Sequence, residues 1–184
     1  MTLFNLIASD YKKHKKYGGN FFSIVFFTQG FSAIFQYRVA NQIYLNFKIP
    51  LLCHILLAIC TFWQKWIEIS TGISLPKSAS IGHSFYIGHF GGIILNANSV
   101  IGNNCNISQG VTIGVSGTND KRGVPIIGND VYIGVNAVVA GKIMIGNNVL
   151  IGSCSLVITD VPDNSVMSGV PAVIISNKGS KGYI

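Results

Sequence analysis

Charge is what this sequence has least of. Asp, Glu, Lys and Arg together make up 10% of its 184 residues, and only six of them are acidic, whereas apolar residues make up 49%. A chain this apolar hides surface beyond its own core, in a subunit interface or against a membrane. Cysteine is also sparse. Cys53, Cys60, Cys105 and Cys154 show no CxxC spacing and lie in apolar segments, which gives no metal site and no disulfide framework, and is the usage of a reduced, cytoplasmic protein. No uninterrupted apolar run reaches the roughly 20 residues of a spanning helix. The longest, "IPLLCHILLAICTFW" (49–63), is broken by Pro50 and His54. An acidic residue and a basic run precede the first apolar stretch, so no secretory signal is expected.

The net charge of +7 is uneven. Lys12, Lys13, Lys15 and Lys16 stand beside "FFSIVFF". A solvated helix end accounts for such a cluster; so does attraction to the anionic inner face of a membrane. No nucleic-acid partner is expected.

Against these absences stands a six-residue beat. Ile81, Ile87 and Ile93 keep it, and after a slip of two Ile101, Ile107 and Ile113 resume it. A second slip surrounds "VSGTNDKRGVP", after which Ile127, Ile133, Val139, Ile145, Ile151 and Val157 run in phase. Neither a helix nor a simple strand has this period; a parallel β-helix does. Each hexapeptide supplies a short strand and a turn, the aliphatic residue points to the axis, and Asn103, Asn104, Asn129, Asn147 and Asn148 suit the corners. The first 70 residues lack the beat. Residues 21–47 and 50–70 read as two helices divided at "KIP", capping one end of the solenoid. The stretch from "VPDNSVMSGVPA" onward closes the other end, and its last six residues are expected to fray. The chain thus divides into a helical region (1–72), a β-helix (73–175) and a tail (176–184).

Four histidines are present, and two stand in Ile-Gly-His triplets six residues apart, His83 and His89. Six residues advance the chain by one face, so the two rings leave different faces and cannot chelate one metal. His83 reads as a polar corner or, across a groove between subunits, as a group that reaches a site from the opposite wall. His89 is followed by Gly91 and Gly92, which leave room for a bulky ligand and let backbone N–H groups approach an oxyanion. His14 and His54 lie in the helices and are expected at the surface and in the core respectively.

The segments "GFSAIFQYRVANQIYL", "ISLPKSASIGHSFYIGH", "ISQGVTIG" and "SGVPA" together resemble the serine O-acetyltransferase branch of the hexapeptide acyltransferases, over about residues 28–175. The chain is more similar still to the short polysaccharide O-acetyltransferases of that branch. This resemblance implies a mainly β fold, a left-handed parallel β-helix with a short N-terminal helical region, assembled as a homotrimer with acetyl-CoA between subunits. It also implies His89 as the general base that takes a proton from an acceptor hydroxyl. Imidazole, with an unperturbed pKa of about 6.5, suits that role.

Aligned on "ISLPKSASIG", the acid that orients the base falls on Ser74, the residue before His89 is Gly88, and an expected Arg-His pair becomes Gly123 and Val124, with Arg122 one place off. Those substitutions remove groups that would hold an amino acid, so a saccharide hydroxyl is the expected acceptor. Serine is the alternative, and a non-catalytic trimeric scaffold a third reading. Ser74, a backbone carbonyl, Asp10, Glu68 or Asp120 is left to orient His89. Val135 and Ser153, eighteen residues apart and each after an Ile-Gly pair, are expected to share one corner and carry the pantetheine arm. By the resemblance, Gly114 borders the thiol end near His89, and Thr159 and Lys178 meet the nucleotide end.

Overall fold

The computed structural model describes residues 1–47 and 49–184; Lys48, inside the expected break between helices, lies outside the described residues. Three α-helices precede the strands: α1 (Leu3–Lys16), α2 (Gln29–Asn46) and α3 (Pro50–Thr71). The sequence reading put a helix end at the lysine cluster without giving α1 its bounds, and it ran α2 too far back. Thr2 caps α1 by accepting from the Asn5 N–H at 3.3 Å, and Lys13, His14, Lys15 and Lys16 fill its last turn, where cations complement the helix dipole. The segment Ser23–Phe27 forms a π-turn, and extended Thr28 (φ −90°, ψ 103°) separates it from α2. Helix α3 begins with Pro50 in its first turn and ends at Gly72, whose φ of 68° is the left-handed value glycine tolerates. At 22 residues it is longer than its apolar run and long enough to cross a membrane, but one side is held to the rest of the fold through buried Cys60, Ile67 and Thr71.

The strands wind as a three-faced solenoid. The first coil holds β1 (Ile73–Ser74), β2 (Ser80–Ile81) and β3 (Tyr86–Ile87). The second holds β4 (Ile93–Leu95), β5 (Val100–Ile101) and β6 (Asn106–Ile107). The third holds β7 (Thr112–Gly114), β8 (Ile126–Ile127) and β9 (Tyr132–Ile133), and the fourth β10 (Val138–Ala140), β11 (Met144–Ile145) and β12 (Leu150–Ile151). The chain closes with β13 (Leu156–Val157), β14 (Val166–Gly169) and β15 (Ala172–Ser176), the last pairing antiparallel with β14. Face I is β1-β4-β7-β10-β13, face II is β2-β5-β8-β11, and face III is β3-β6-β9-β12-β14-β15.

All the aliphatic residues of the six-residue beat are buried, each at 7% exposure or less. Both slips have a structural cause. Ile101 pairs with Ile81 and Ile107 with Ile87, so this coil takes twenty residues. Ile127 pairs with Ile101, a coil lengthened by a loop over 115–125. Later coils take eighteen, as in Ile133↔Ile151 and Val139↔Val157. Left-handed backbone falls at Ser84, Asn104, Asp130, Asn148 and Asn164, one per coil between faces II and III. Beside them runs a side-chain ladder: Asn103, Asn129, Asn147 and Asp163 each accept, through Oδ1, the backbone N–H of the equivalent residue one coil back. Polar corners therefore do part of the stacking.

The first coil has no coil above it, and the helices satisfy its open edge. Tyr37 Oη donates to Ala79 O at 2.7 Å and accepts from Ile81 N. Arg38 donates to Ile81 O at 2.6 Å and Gly82 O at 2.5 Å, and Asp10 accepts from Phe85 N at 2.8 Å. Asp10 and Arg38 also pair with each other at 2.8 Å, at 0% and 2% exposure. At Gly30 the backbone of α2 comes so close to Ile87 O that a Cβ would overlap it.

Three sequence expectations are corrected here. His14 is buried, not superficial: its Nδ1 lies 2.8 Å from Asp10 O and its ring meets Tyr86 and Phe31, while burial pushes its pKa below 6.5. His54 is exposed, not core, and is bonded only to Pro50 O of its own helix. The last residues are tied down, not frayed. Ser180 is buried and donates to Asp130 O at 2.6 Å, Tyr183 packs on Tyr132, and Tyr183 O accepts from Asn106 Nδ2 at 2.9 Å. Lys13 also leaves the solvated cluster. It donates to Asn104 O at 3.1 Å, and desolvation lowers its pKa to about 8.

Asp10→Asn leaves Arg38 as an uncompensated buried charge and is expected to cost about 3–5 kcal/mol. Urea unfolding followed by circular dichroism measures this; an unchanged midpoint would show that the helices do not hold the first coil.

Candidate active site

The chain visits the faces in the order I, II, III, so the turn from III back to I recurs once per coil. His89 lies in that turn in the first coil, between β3 and β4, and its side chain is exposed. His83 lies in the turn from II to III, half-buried, with Nδ1 3.1 Å from Ser84 Oγ. A whole strand, β3, separates the two histidines, and no group of His, Cys, Asp or Glu able to hold a metal occurs among the described residues.

The III–I corner is a continuous backbone column. Gly91 N donates to Thr71 O at 2.8 Å, Gly110 N to Gly91 O at 2.9 Å, Asn136 N to Gln109 O at 3.0 Å, and Cys154 N to Val135 O at 2.7 Å. Val135 and Ser153 do share one corner in successive coils, and it is the corner that bears His89. Gln109 completes the column. The pairing Ile87↔Ile107 puts it one coil above His89, and Ile107↔Ile133 puts Val135 one coil above Gln109. Sequence reasoning passed over Gln109, although its spacing from His89 equals the spacing of those paired isoleucines. Gly92 (φ 63°) and Gly110 (φ 74°) hold left-handed backbone here, and a Cβ at Gly110 would overlap the Asn136 side chain. A Cβ at Gly91 would meet nothing within 4 Å, so the turn beside His89 is open.

The remaining candidates lie elsewhere. Gly114 ends β7 at the opposite edge of face I, and Thr159 follows β13 at that same edge. Gly114 is therefore not beside His89 within one chain, because the width of a strand intervenes. Lys178 is exposed beyond β15 on face III, its N–H bonded to Ser176 Oγ at 3.3 Å. The long loop rises from the Gly114 edge, clasped by the Ser116↔Gly123 bridge, and Arg122 lines a cleft of about 480 Å³ with Asn96, Asn98 and Asn119.

Of the groups left to orient His89, Asp10 is occupied by Arg38, and Asp120 belongs to that far loop. Ser74 stands on face I, paired with Ile94 across β1 and β4, and donates through Oγ to Glu68 Oε1 at 2.7 Å. Glu68 also accepts from Gln64 at 2.8 Å and Lys65 at 2.6 Å. Partial burial raises the Glu68 pKa, but the hydrogen bonds from Lys65, Ser74 and Gln64 outweigh it and hold the carboxyl below its ordinary range. The end of α3 thus brings a carboxylate to Ser74. It ends next to the His89 turn, because Gly91 N bonds to Thr71 O and Ile93 N to Gly72 O.

Comparison with known proteins decides the family. Residues 125–159 match the bacterial transferase hexapeptide (six repeats) model. The serine acetyltransferase of Bacillus subtilis is 32% identical over 162 residues, covering 88% of this chain and 71% of that protein. The chain belongs to the serine acetyltransferase family. Among solved structures, that of the Neisseria gonorrhoeae serine acetyltransferase superposes with a TM-score of 0.82 at 29% identity, covering 95% of this chain and 65% of the other. A serine acetyltransferase in complex with CoA gives 0.78 at 27% identity, covering 94% and 69%.

The fold is accordingly the left-handed parallel β-helix, and the protein is an acetyl-CoA-dependent acyltransferase with acetyl-CoA as co-substrate. The expectation of a saccharide acceptor is overturned, because the relatives matched along most of the chain are serine acetyltransferases. The expected loss of a serine site rests on the substitutions at Ser74, Gly88, Gly123 and Val124. They concern single side chains, and Ser74 Oγ donates to the Glu68 carboxylate at the end of α3.

Gly110→Ala forces a side chain into left-handed backbone and onto Asn136, and is expected to cost about 1–3 kcal/mol. Chemical denaturation of the variant tests it; full stability would mean that the corner relaxes freely.

Proposed function

We propose that the protein transfers the acetyl group of acetyl-CoA to the hydroxyl of serine, with His89 as general base. The observation that carries this reading is an exposed imidazole on an open glycine turn, at the head of a corner column, in a chain whose relatives are serine acetyltransferases. His89 takes the hydroxyl proton as the oxygen attacks the thioester carbonyl. The tetrahedral species collapses with cleavage of the C–S bond, and the imidazolium returns its proton to the departing thiolate. The Gly91 N–H is taken by Thr71 O, so in this reading a developing oxyanion is met at the Gly92 N–H.

In this reading the working unit is a homotrimer. His89 and Arg122 lie at opposite edges of face I, and a groove between two copies takes one edge from each. The His89 edge of one subunit then faces the Arg122 loop of its neighbour, where the guanidinium is suited to the acceptor's carboxylate. The pantetheine arm runs along the column past Val135 and Ser153 and bonds to backbone, while Gly114 and Thr159 border it from the neighbouring subunit. Lys178 offers charge to the phosphates.

The test is thiol release from acetyl-CoA with and without L-serine. Serine-dependent release is expected, and His89→Ala is expected to lower kcat by at least about two orders of magnitude while leaving assembly unchanged. Release indifferent to serine would overturn the acceptor, and a fully active His89→Ala would overturn the base. Val135→Trp and Ser153→Trp are expected to raise KM for acetyl-CoA by about tenfold or more with little change in KM for serine, since steric loss in a binding groove costs on the order of 1–3 kcal/mol. An unaltered KM for acetyl-CoA in both variants would place the cofactor elsewhere.

A further inference from the structure

The helices leave an apolar surface that nothing in the acetyl-transfer site uses. On α3, Leu51, Ile55, Ile59, Phe62, Trp66 and Ile69 recur every three or four residues, a single helical stripe, and each is between 50% and 82% exposed. A second apolar surface adjoins it at the π-turn, where Phe21, Phe22, Phe26 and Phe27 are 56–81% exposed. The two meet at a cleft of about 600 Å³ lined by Phe4, Phe21, Trp63 and Trp66. Ring contacts Tyr11–Phe21 at 6.1 Å, Phe21–Phe22 at 5.7 Å and Phe22–Phe26 at 6.3 Å join the aromatic surface to α1. A patch this size is not left to water without a partner.

Charge identifies the partner. Lys12, Lys15 and Lys16 are exposed at the end of α1 that leads into the phenylalanines. The first 72 residues carry seven Lys and Arg against two carboxylates. Neither carboxylate is free: Asp10 is buried on Arg38, and Glu68 is bonded to Lys65, Gln64 and Ser74. A second copy of this surface would bring lysines to lysines and offer them no acid. Nor does α3 cross a bilayer, since its buried side is fixed to the fold, with Gln36 Nε2 donating to Cys60 O at 3.1 Å. Aromatic and aliphatic side chains on a face bordered by exposed lysines are the composition of a surface that lies in a membrane interface.

We propose that this helical face docks on an anionic bilayer, with the rings of Phe22, Phe26, Phe62 and Trp66 entering the interfacial region and Lys12, Lys15 and Lys16 over the headgroups. The arrangement leaves the β-helix and its corner column in solution, so docking and acetyl transfer are independent properties.

The test is co-sedimentation of the full chain with vesicles of phosphatidylcholine alone or mixed with phosphatidylglycerol. Partition onto the mixed vesicles is expected to exceed that onto neutral ones by at least about tenfold and to weaken with salt. Lys12→Glu/Lys15→Glu/Lys16→Glu is expected to abolish the preference for anionic lipid, and Phe22→Ser/Phe26→Ser to lower binding to both vesicles, each with acetyltransferase activity retained. Absent or equal partition would overturn the proposal. So would Phe62→Ser/Trp66→Ser reducing the mass measured by light scattering, because the face would then be a subunit interface.

Discussion

The buried cluster of Asp10, Arg38 and Tyr37 is the interaction on which the rest of the molecule depends. A β-helix has an open edge at its first coil, where backbone groups lack a neighbouring coil to bond. Here Arg38 and Tyr37 donate to Ala79, Ile81 and Gly82, and Asp10 and Tyr37 accept from Phe85 and Ile81. An ion pair inside an apolar setting is justified energetically when its remaining hydrogen-bonding capacity is also used, as it is here. With that edge closed, each later coil finds a template below it, and the aliphatic columns fill in turn.

The same closure positions the site. Because α1 and α2 fix the first coil, α3 must end at Gly72 and deliver the chain into β1, which brings Thr71 against Gly91 and Glu68 against Ser74. The turn carrying His89 is therefore held from the helical side through backbone bonds while its side chain stays exposed. The column is tied coil to coil by backbone hydrogen bonds, and the turn beside His89 is open. The carboxylate on face I comes from a helix instead of a strand, which is how a chain with six acidic residues can still place one there.

The apolar excess of the composition divides between two uses. Within the β-helix the aliphatic residues of the six-residue beat fill the axis and are shielded almost completely, while Ile94, Ile126 and Met144 stay on the outer faces. In the helices much of the excess remains at the surface, on α3 and around the π-turn, near Lys12, Lys15 and Lys16, for which the described residues offer no ion-pair partner. Composition signalled the surplus but could not locate it, because apolar residues in a helix look alike in sequence whether they face a core or the surface.

What the sequence determined by itself was everything with a period. The six-residue beat named the fold, the buried positions and the stacking of Val135 on Ser153, because side-chain direction in a solenoid follows from counting alone. The resemblance carried by "ISLPKSASIGHSFYIGH", "ISQGVTIG" and "SGVPA" reached the acyltransferase family. Tertiary structure decided what counting cannot reach. His14 is core and His54 surface, reversing the expectation, because helix orientation depends on which face meets β3 and not on local polarity. The final residues are pinned by Ser180 and Tyr183 to coils formed by residues 106–148, partners far away along the chain. Gly114 and His89 sit at opposite edges of face I because one short strand spans the distance between two corners. And Glu68 meets Ser74 only because Gly72 turns left-handed between them, folding the end of a helix back onto the strand that follows it.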